Sequence, residues 1–268
     1  MDIDVLVVGS GISGTIVSKQ LLNEKIKTLT IDPIGEWGGE ILSNYSINLI
    51  PIDSTPIFIM KSEKGIVENT FNIDLVCESL RPVIIRDGKI LEKILTNYPS
   101  QEFQTPWFIR WSNELCFTLE KGLSSYVANM VKESKPIPTS VRCLDIANKI
   151  AILRNGVVVK YKLVIWTAPL PELIKSLKPK LMNLEDLKLK WISTYIVSLG
   201  LRSEKKPDWM IAYFGSRATR IHTIVKFEYT NLKPTYYILY LIASFSDKQK
   251  PLPGFTEKLI SDARRLQL

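Results

Sequence analysis

The sequence predicts an α/β protein in which a Rossmann-like domain, a parallel sheet with helices, is interrupted by a strand-rich second domain. Three observations predict this fold. A glycine-rich turn joins the first predicted strand to the first predicted helix, an acidic residue ends the second strand, and the second half of the chain is rich in β-branched and aromatic runs.

The glycine-rich turn follows Val5–Val8, an apolar run that predicts a buried strand, and precedes a helical apolar pattern over Thr15–Glu24. Gly9 allows a tight turn, Gly11 lets the backbone approach a pyrophosphate, and Gly14 lets helix and strand pack closely. The helix N-terminus adds free backbone N–H groups and a partial positive charge. The predicted phosphate site consists of Gly9, Gly11, Ile12, Ser13 and Gly14.

The second apolar strand, Lys27–Ile31, ends at Asp32, eighteen residues after Gly14. A carboxylate at about this distance accepts hydrogen bonds from the adenosine ribose hydroxyls of a dinucleotide. It also disfavours a 2′-phosphate, which argues against NADP. The alternative is a turn without a ligand followed by a solvated acid. The order of strand, glycines, helix, strand and acid favours a dinucleotide site.

A second glycine pair, Gly38 and Gly39, lies six residues beyond Asp32 in the run Pro33–Glu40. Here the chain resembles the FAD-binding superfamily of amine oxidases, protoporphyrinogen oxidases, phytoene desaturases and UDP-galactopyranose mutases. In that superfamily a Gly-Gly pair follows the ribose-binding acid and lies against the FAD phosphates. The resemblance implies FAD rather than NAD, and it adds Pro33, Gly38 and Gly39 to the predicted site. An ordinary flexible loop is the alternative for the glycine pair.

The resemblance extends along the chain through a helix, a strand, a hairpin turning at Asn155-Gly156, and a strand ending in Thr-x-Pro. These elements are predicted over 122–131, 140–146, 150–161 and 163–170. By the resemblance Val141 contacts the adenine, and Thr167 lies near the last strand of the dinucleotide fold. Simple sheet core is the alternative for both residues.

The resemblance fails near the carboxyl end. The superfamily has a second glycine-acid segment and a helix whose N-terminus contacts the flavin ring, and no candidate follows Ser244–Asp247. Only a helical pattern over 256–268 is found there. The mutases also carry a histidine that Ser54–Phe58 lacks. The redox half of the site therefore looks incomplete. Three explanations stay open: a reduced member, a partner subunit that completes the pocket, or a loosely bound flavin.

The predicted FAD-binding domain comprises residues 1–60 and 115–170, and the predicted substrate or cap domain comprises 61–114 and 171–268. A ligand cleft is expected where two such domains meet. In the cap domain, Arg86–Lys89 predicts a hairpin turn, and a Lys-rich helix is predicted over 170–187 with a break at Pro179. Strands are predicted over 191–201, 209–214, 219–229 and 235–244.

The composition limits the protein class. With 268 residues and 46% hydrophobic content, the chain can bury a large core. The longest apolar run, Tyr236–Phe245, has ten residues, whereas a spanning helix needs about twenty, so it is read as a buried strand. No secretory signal pattern precedes the first strand. Cys77, Cys116 and Cys143 are far apart in the sequence, so we expect no metal site and a reducing, cytoplasmic location.

The net charge of +8 permits weak contact with nucleic acid or an anionic membrane surface. The lysines are scattered and no basic-aromatic recognition motif is found, so nucleic-acid binding is not expected as the main role. Two alternatives stay open for this charge: a solvated face, or a surface suited to a small acidic substrate such as a nucleotide-sugar or a carboxylate. The sequence also leaves open whether the protein forms a homo-oligomer.

No motif identifies catalytic residues, which stay unknown at this point. His222 titrates near neutral pH and shares a strand face with Arg220, a pair that could anchor an anion. The alternative, an ordinary polar strand face, is favoured. An aromatic pocket is conceivable, although domain core is commoner for the residues concerned, which are Trp107, Trp111, Tyr195, Trp209 and Tyr213.

Four functions follow. The leading one is an FAD-dependent oxidoreductase of the amine oxidase-like superfamily that oxidises a C–N or C–C bond by hydride transfer to flavin. The second is a flavin-dependent isomerase resembling UDP-galactopyranose mutase. The third is a non-catalytic dinucleotide-binding module or a subunit of a larger flavoenzyme. The fourth, a flavin-free NAD-dependent dehydrogenase, is disfavoured by Gly38 and Gly39.

Overall fold

The structure, a computed structural model, divides into two units, Met1–Asn44 with Leu123–Leu189 and Tyr45–Gly122 with Lys190–Leu268. The sequence prediction placed the divisions at 60/61, 114/115 and 170/171 instead. The described residues are 1–42, 45–47, 50–79, 82–86, 89–91, 114–118, 121–131, 134–181, 192–202, 209–214, 219–229, 236–246 and 251–266.

The first unit contains a four-stranded parallel sheet in the order β10-β2-β1-β14. Its strands are β1 (Val5–Val8), β2 (Thr28–Asp32), β10 (Ile137–Pro138) and β14 (Leu163–Trp166). Helix α1 (Ile12–Asn23) connects β1 to β2 and contacts both. Every residue of β1 is buried, which explains its unbroken apolar run.

A second sheet packs on the parallel one. It consists of β11 (Val141–Asp145), β12 (Ile150–Leu153), β13 (Val158–Lys160) and β15 (Leu177–Lys178), in the order β13-β12-β11-β15. Leu6, Val8 and Ile31 of the parallel sheet share a core with Leu144 and Leu153 of the second. The predicted hairpin turn is present between β12 and β13.

The helices α3 (Leu123–Met130) and α4 (Leu170–Ser176) complete the described part of the first unit, together with a short 3-10 helix, Gly39–Ile41. Helix α3 contacts α1. The predicted helix over 170–187 is wrong in length, because α4 ends at Ser176 and the chain continues into β15. Pro179 disfavours helical geometry at Lys178, so a helix could not run on through the predicted break. Residues 182–187 lie outside the described part.

The second unit is built on a six-stranded sheet in the order β16-β19-β18-β17-β7-β8. The strands are β7 (Pro82–Arg86), β8 (Lys89–Leu91), β16 (Ile192–Arg202), β17 (Ile211–Phe214), β18 (Thr223–Tyr229) and β19 (Tyr236–Ser246). The longest apolar run of the chain forms β19, as expected, and is buried from Tyr237 to Ala243. Strands β7 and β8 pair as the hairpin predicted at Arg86–Lys89. In the described ranges no helix is long and apolar enough to cross a bilayer.

Smaller elements surround this sheet within the second unit. They include a hairpin of β3 (Tyr45–Ile47) and β4 (Ile50–Ile52) and a three-stranded sheet of β5 (Ile59–Met60), β6 (Val76–Ser79) and β9 (Glu114–Phe117). Within that sheet the 3-10 helix Lys61–Glu63 and α2 (Lys64–Phe71) connect β5 to β6. Helix α5 (Phe255–Arg265) buries Leu259 and Ala263 in a core shared with β17, β18 and β19.

Cys77 and Cys116 face each other in the neighbouring strands β6 and β9 and form a disulfide. The expectation of three separate thiols is therefore wrong, since the strand register brings together two residues 39 positions apart. Cys143 is free and half-buried. The disulfide also removes the support that separate thiols gave to a cytoplasmic location.

Candidate functional site

A cavity of about 820 Å³ opens at the carboxyl ends of the parallel strands, entirely within the first unit. Its volume lies in the range of small-molecule and cofactor sites. All eleven residues predicted from the sequence line it: Gly9, Gly11, Ile12, Ser13, Gly14, Asp32, Pro33, Gly38, Gly39, Val141 and Thr167. The structure thus brings together a set that spans most of the first unit. Their contact with a cofactor stays a prediction.

The three glycines of the turn after β1 differ in what surrounds them. Gly9 has φ +103°, and a Cβ there would lie 2.6 Å from Thr167 Oγ1. A Cβ on Gly14 would collide with the carbonyl oxygen of Gly9. Around the position of a Cβ on Gly11, by contrast, no heavy atom of the described chain lies within 4 Å. Protein packing therefore requires glycine at 9 and 14, whereas Gly11 leaves open space on the cavity side.

The N-terminus of α1 also faces this space. Its N-cap residue is Gly11, so no side chain caps the first turn, and that turn contains no acidic residue. The carbonyls of Ser10 and Gly11 accept hydrogen bonds from Thr15 Oγ1 at 3.0 and 2.9 Å. The N–H groups of the first turn are donors that point out of the helix, where an anion is favoured by both hydrogen bonding and the helix dipole.

Asp32 is nearly buried, with 9% of its surface exposed, and both carboxylate oxygens accept backbone hydrogen bonds. Oδ2 accepts from the Ser10 N–H at 3.0 Å and Oδ1 from the Ile34 N–H at 2.9 Å. Each oxygen has further acceptor capacity, which suits ribose hydroxyls. The sequence pattern indicated only the ribose role. The second role, fixing the glycine turn after β1, was missed.

The second glycine pair, Gly38 and Gly39, lies directly against the glycine-rich turn that follows β1. The Gly38 N–H donates to the Ser10 carbonyl at 2.9 Å, and Ser10 Oγ donates to the Glu36 carbonyl at 2.6 Å. Gly39 has φ +58°, and a Cβ there would lie 2.8 Å from Gly11 Cα. Close backbone approach thus requires glycine at 39, and a φ of +126° favours glycine at 38, so the flexible-loop alternative does not describe the pair.

Residues from the segment before β10 hold this second loop in place. Trp37 Nε1 donates to the Ser134 carbonyl at 2.7 Å, and Lys135 Nζ pairs with Glu36 at 2.8 Å. Trp37 is buried. No motif in the sequence indicates these contacts, because they join residues about a hundred positions apart.

The far side of the cavity is formed by β14 and by the start of β11. Thr167 Oγ1 lies 3.0 Å from the Val8 carbonyl oxygen and 3.1 Å from that of Gly9, so its hydroxyl ties the end of β14 to the glycine turn. Val141 is nearly buried and belongs to the core between the two sheets while also lining the cavity. Both residues have a structural role beside any ligand role.

The charged residues of the cavity lining include several that sequence reasoning missed. Three are acidic, Asp32, Glu40 and Glu172, and Arg154 is basic. Glu172 forms an exposed ion pair with Lys175 at 2.8 Å. Because carboxylates outnumber cations in this lining, an anionic ligand would depend chiefly on backbone N–H groups and the α1 terminus.

In the second unit, Arg220 and His222 do not form an anion site. The Arg220 N–H donates to Asp262 Oδ2 at 3.0 Å, and its Nη1 lies 3.2 Å from the same oxygen. The His222 ring nitrogens bond to Thr223 Oγ1 and Ser244 Oγ, each at 2.8 Å. Burial lowers the pKa of His222. Both side chains are engaged within the unit. Both residues also precede β18, which begins at Thr223, so the expectation that they share a strand face is wrong.

The proposed aromatic pocket is also not supported by the described residues. Trp209 is buried in the core that contains α5, and Tyr213 packs against the core of the six-stranded sheet. Tyr195 bonds through its hydroxyl to Thr256 Oγ1 at 2.7 Å. These three residues stabilise the unit. Trp107 and Trp111 lie outside the described residues.

Comparison with known proteins identifies the fold. No family model matches the chain, and no curated protein matches its sequence. Several solved structures share the α/β fold of this chain.

Three solved structures illustrate the likeness. A reduced UDP-galactopyranose mutase matches with TM-score 0.77 and 14% identity, over 99% of this chain and 80% of that one. Putrescine oxidase bound to putrescine matches with TM-score 0.66 and 11% identity, over 99% and 82%. A CLA-producing fatty acid isomerase from P. acnes matches with TM-score 0.68 and 8% identity, over 99% and 83%. At these identities the likeness shows the fold alone.

Proposed function

We propose that the protein binds FAD in the cavity of the first unit and acts as an FAD-dependent oxidoreductase on a small-molecule substrate. The observation that carries the proposal is the open space at Gly11, which faces the uncapped N-terminus of α1. No packing contact in the described chain requires glycine there. A bound pyrophosphate would explain the glycine at position 11, because it requires close approach of the backbone.

The cavity residues fit the adenylate part of FAD. The first-turn N–H groups of α1 would hold the pyrophosphate, and Asp32 would accept hydrogen bonds from the ribose hydroxyls. Gly38 and Gly39 would lie beside the phosphates, since Gly39 is packed on Gly11. Val141 would contact the adenine. When bound, FAD would supply the hydride acceptor of the reaction.

Two observations bear on the second candidate, a flavin-dependent isomerase. The mutase structure matches with TM-score 0.77, which favours it. The segment Ser54–Phe58 lacks the histidine that the mutases carry, which counts against it. A non-catalytic module or a subunit whose partner completes the pocket is the third candidate.

The experiment is to purify the protein, add FAD in excess, pass it over a desalting column and record the visible spectrum. A retained flavin spectrum with a peak near that of free FAD supports the proposal. Reduction of the retained flavin on adding amines or carboxylates under anaerobic conditions then supports the oxidoreductase. Binding of a UDP-sugar to the reduced protein without net oxidation supports the isomerase. A colourless protein after desalting contradicts the FAD proposal.

A further inference from the structure

The strand order of the first unit indicates where the adenine end of a dinucleotide would lie. In such folds the pyrophosphate lies at the turn after β1 and the ribose at the acid that ends the next strand. Here that acid is Asp32, at the end of β2, and the neighbour of β2 on its other side is β10. A ligand that runs from β1 to β2 therefore continues toward the residues after β10, which are Thr139, Ser140 and Val141. All three line the cavity.

Arg154 lies at this same end of the cavity. It begins the turn between β12 and β13, and its backbone N–H donates to the Ser140 carbonyl at 2.9 Å. The turn is closed by the Gly156 N–H, which donates to the Leu153 carbonyl at 3.0 Å, and Gly156 has φ +85°. The backbone position of Arg154 is thus fixed beside Ser140.

The side chain of Arg154 is available for a ligand. It is exposed, it lines the cavity, and within the described ranges its guanidinium has neither a hydrogen bond nor an ion pair. Three carboxylates line the same cavity, yet none of them pairs with it among the described contacts. It is also the basic residue in that lining, so a ligand with an aromatic ring or negative charge at this end would meet it first.

We infer that Arg154 is a ligand-binding residue whose guanidinium stacks on the adenine ring of the bound nucleotide. A guanidinium is planar and weakly hydrated, and it stacks on aromatic faces in a way that a lysine ammonium does not. Adenine is the aromatic group at this end of a dinucleotide. The inference rests on the proposed function for the orientation of the ligand, and it adds a residue that no motif in the sequence indicates.

The test measures ADP and FAD binding by isothermal titration calorimetry in wild type, Arg154→Gln and Arg154→Lys. Arg142→Gln is the matched control, because Arg142 is exposed on the adjacent strand β11 and does not line the cavity. Both Arg154 variants should bind ADP and FAD about three- to tenfold more weakly, the range expected for a cation–aromatic contact. Arg142→Gln should bind within about twofold of wild type. Urea unfolding of each protein without nucleotide should be unchanged, since Arg154 is exposed.

The outcomes separate this inference from the proposed function. If wild type retains FAD and both Arg154 variants bind like wild type, the inference is overturned and the proposed function stands. If Arg154→Lys binds normally while Arg154→Gln is weakened, charge attraction rather than stacking explains the contact, which overturns the inference. If ADP binding depends on Arg154 as stated but FAD is not retained, the inference holds and the FAD proposal falls. If wild type binds neither nucleotide, both fall.

Discussion

The carboxylate of Asp32 accepts a hydrogen bond from the Ser10 backbone N–H at 3.0 Å, so the acid that ends β2 fixes the turn that follows β1. Ser10 in turn bonds through its carbonyl to Gly38 and through its hydroxyl to Glu36. One carboxylate and one serine therefore hold both glycine loops of the cavity. Changes at Asp32 should affect the folded loop as well as ligand binding.

Asp32→Ala should lower the free energy of unfolding by about 1–3 kcal/mol, because two backbone N–H groups lose a charged acceptor in a nearly buried site. FAD binding should weaken further. Urea unfolding without FAD and FAD titration measure the two effects separately. Asp74→Ala, at an exposed carboxylate, is the control and should change neither. An Asp32→Ala protein of wild-type stability would show that these hydrogen bonds do not hold the loop.

Gly14→Ala should lower the free energy of unfolding by about 1–3 kcal/mol, the usual cost of overpacking. The new Cβ would meet the Gly9 carbonyl oxygen, which is backbone and can move only with the turn. Gly65→Ala is the matched control in helix α2, since no described heavy atom lies within 4 Å of its Cβ position. That control should be neutral or more stable, because alanine favours helix. Equal effects of the two substitutions would contradict the packing role assigned to Gly14.

Asp262→Ala should lower the free energy of unfolding of the protein by about 1–3 kcal/mol. Asp262 is buried and accepts hydrogen bonds from the Arg220 N–H, the Arg220 guanidinium and the Arg265 guanidinium. The arginines are about half exposed, so solvent limits the cost. Urea unfolding measures it, with Glu257→Ala on the exposed side of α5 as the control. If Asp262→Ala lowers the free energy of unfolding no more than Glu257→Ala does, the hydrogen bonds of Asp262 have no structural role.

Stability should fall between pH 7.5 and pH 5.5 because of His222, the single histidine of the chain. Burial lowers its pKa in the folded state, so the unfolded chain binds more protons once the pH falls below the ordinary value of 6.5. The stabilisation is present above that value and is lost as the pH falls toward the folded pKa. Urea unfolding at the two pH values should show a smaller loss in His222→Gln than in wild type. Identical pH dependence in both proteins would show that His222 titrates normally.

Much of the first unit could be predicted from the sequence because its elements are short and local. The apolar run of β1, the glycine turn and the acid ending β2 lie within the first 32 residues. The Asn155-Gly156 turn carries its own hairpin preference. Each of these predictions depends on local sequence alone. The other site residues, Pro33, Gly38, Gly39, Val141 and Thr167, were predicted from the family resemblance, and the structure places all eleven around one cavity.

The features that the sequence did not predict share a cause, because they depend on contacts between distant segments. The Cys77–Cys116 disulfide follows from the register of β6 on β9, and the engagement of Arg220 follows from the packing of α5. Neither contact is indicated by the local sequence pattern. Arg154 is a turn residue without a motif, and only the assembled cavity shows its position.

The measurement that tests the central claim most directly compares FAD retention after desalting in wild type and Gly11→Val. Gly11 has an ordinary φ of −60°, and the space around its Cβ position is open, so the variant should fold, with unfolding free energy within about 1 kcal/mol of wild type. Its side chain would occupy the place of close approach at the α1 N-terminus. We predict that wild type elutes with a flavin spectrum and that the folded Gly11→Val protein elutes colourless. Equal flavin occupancy in the two proteins would contradict the account.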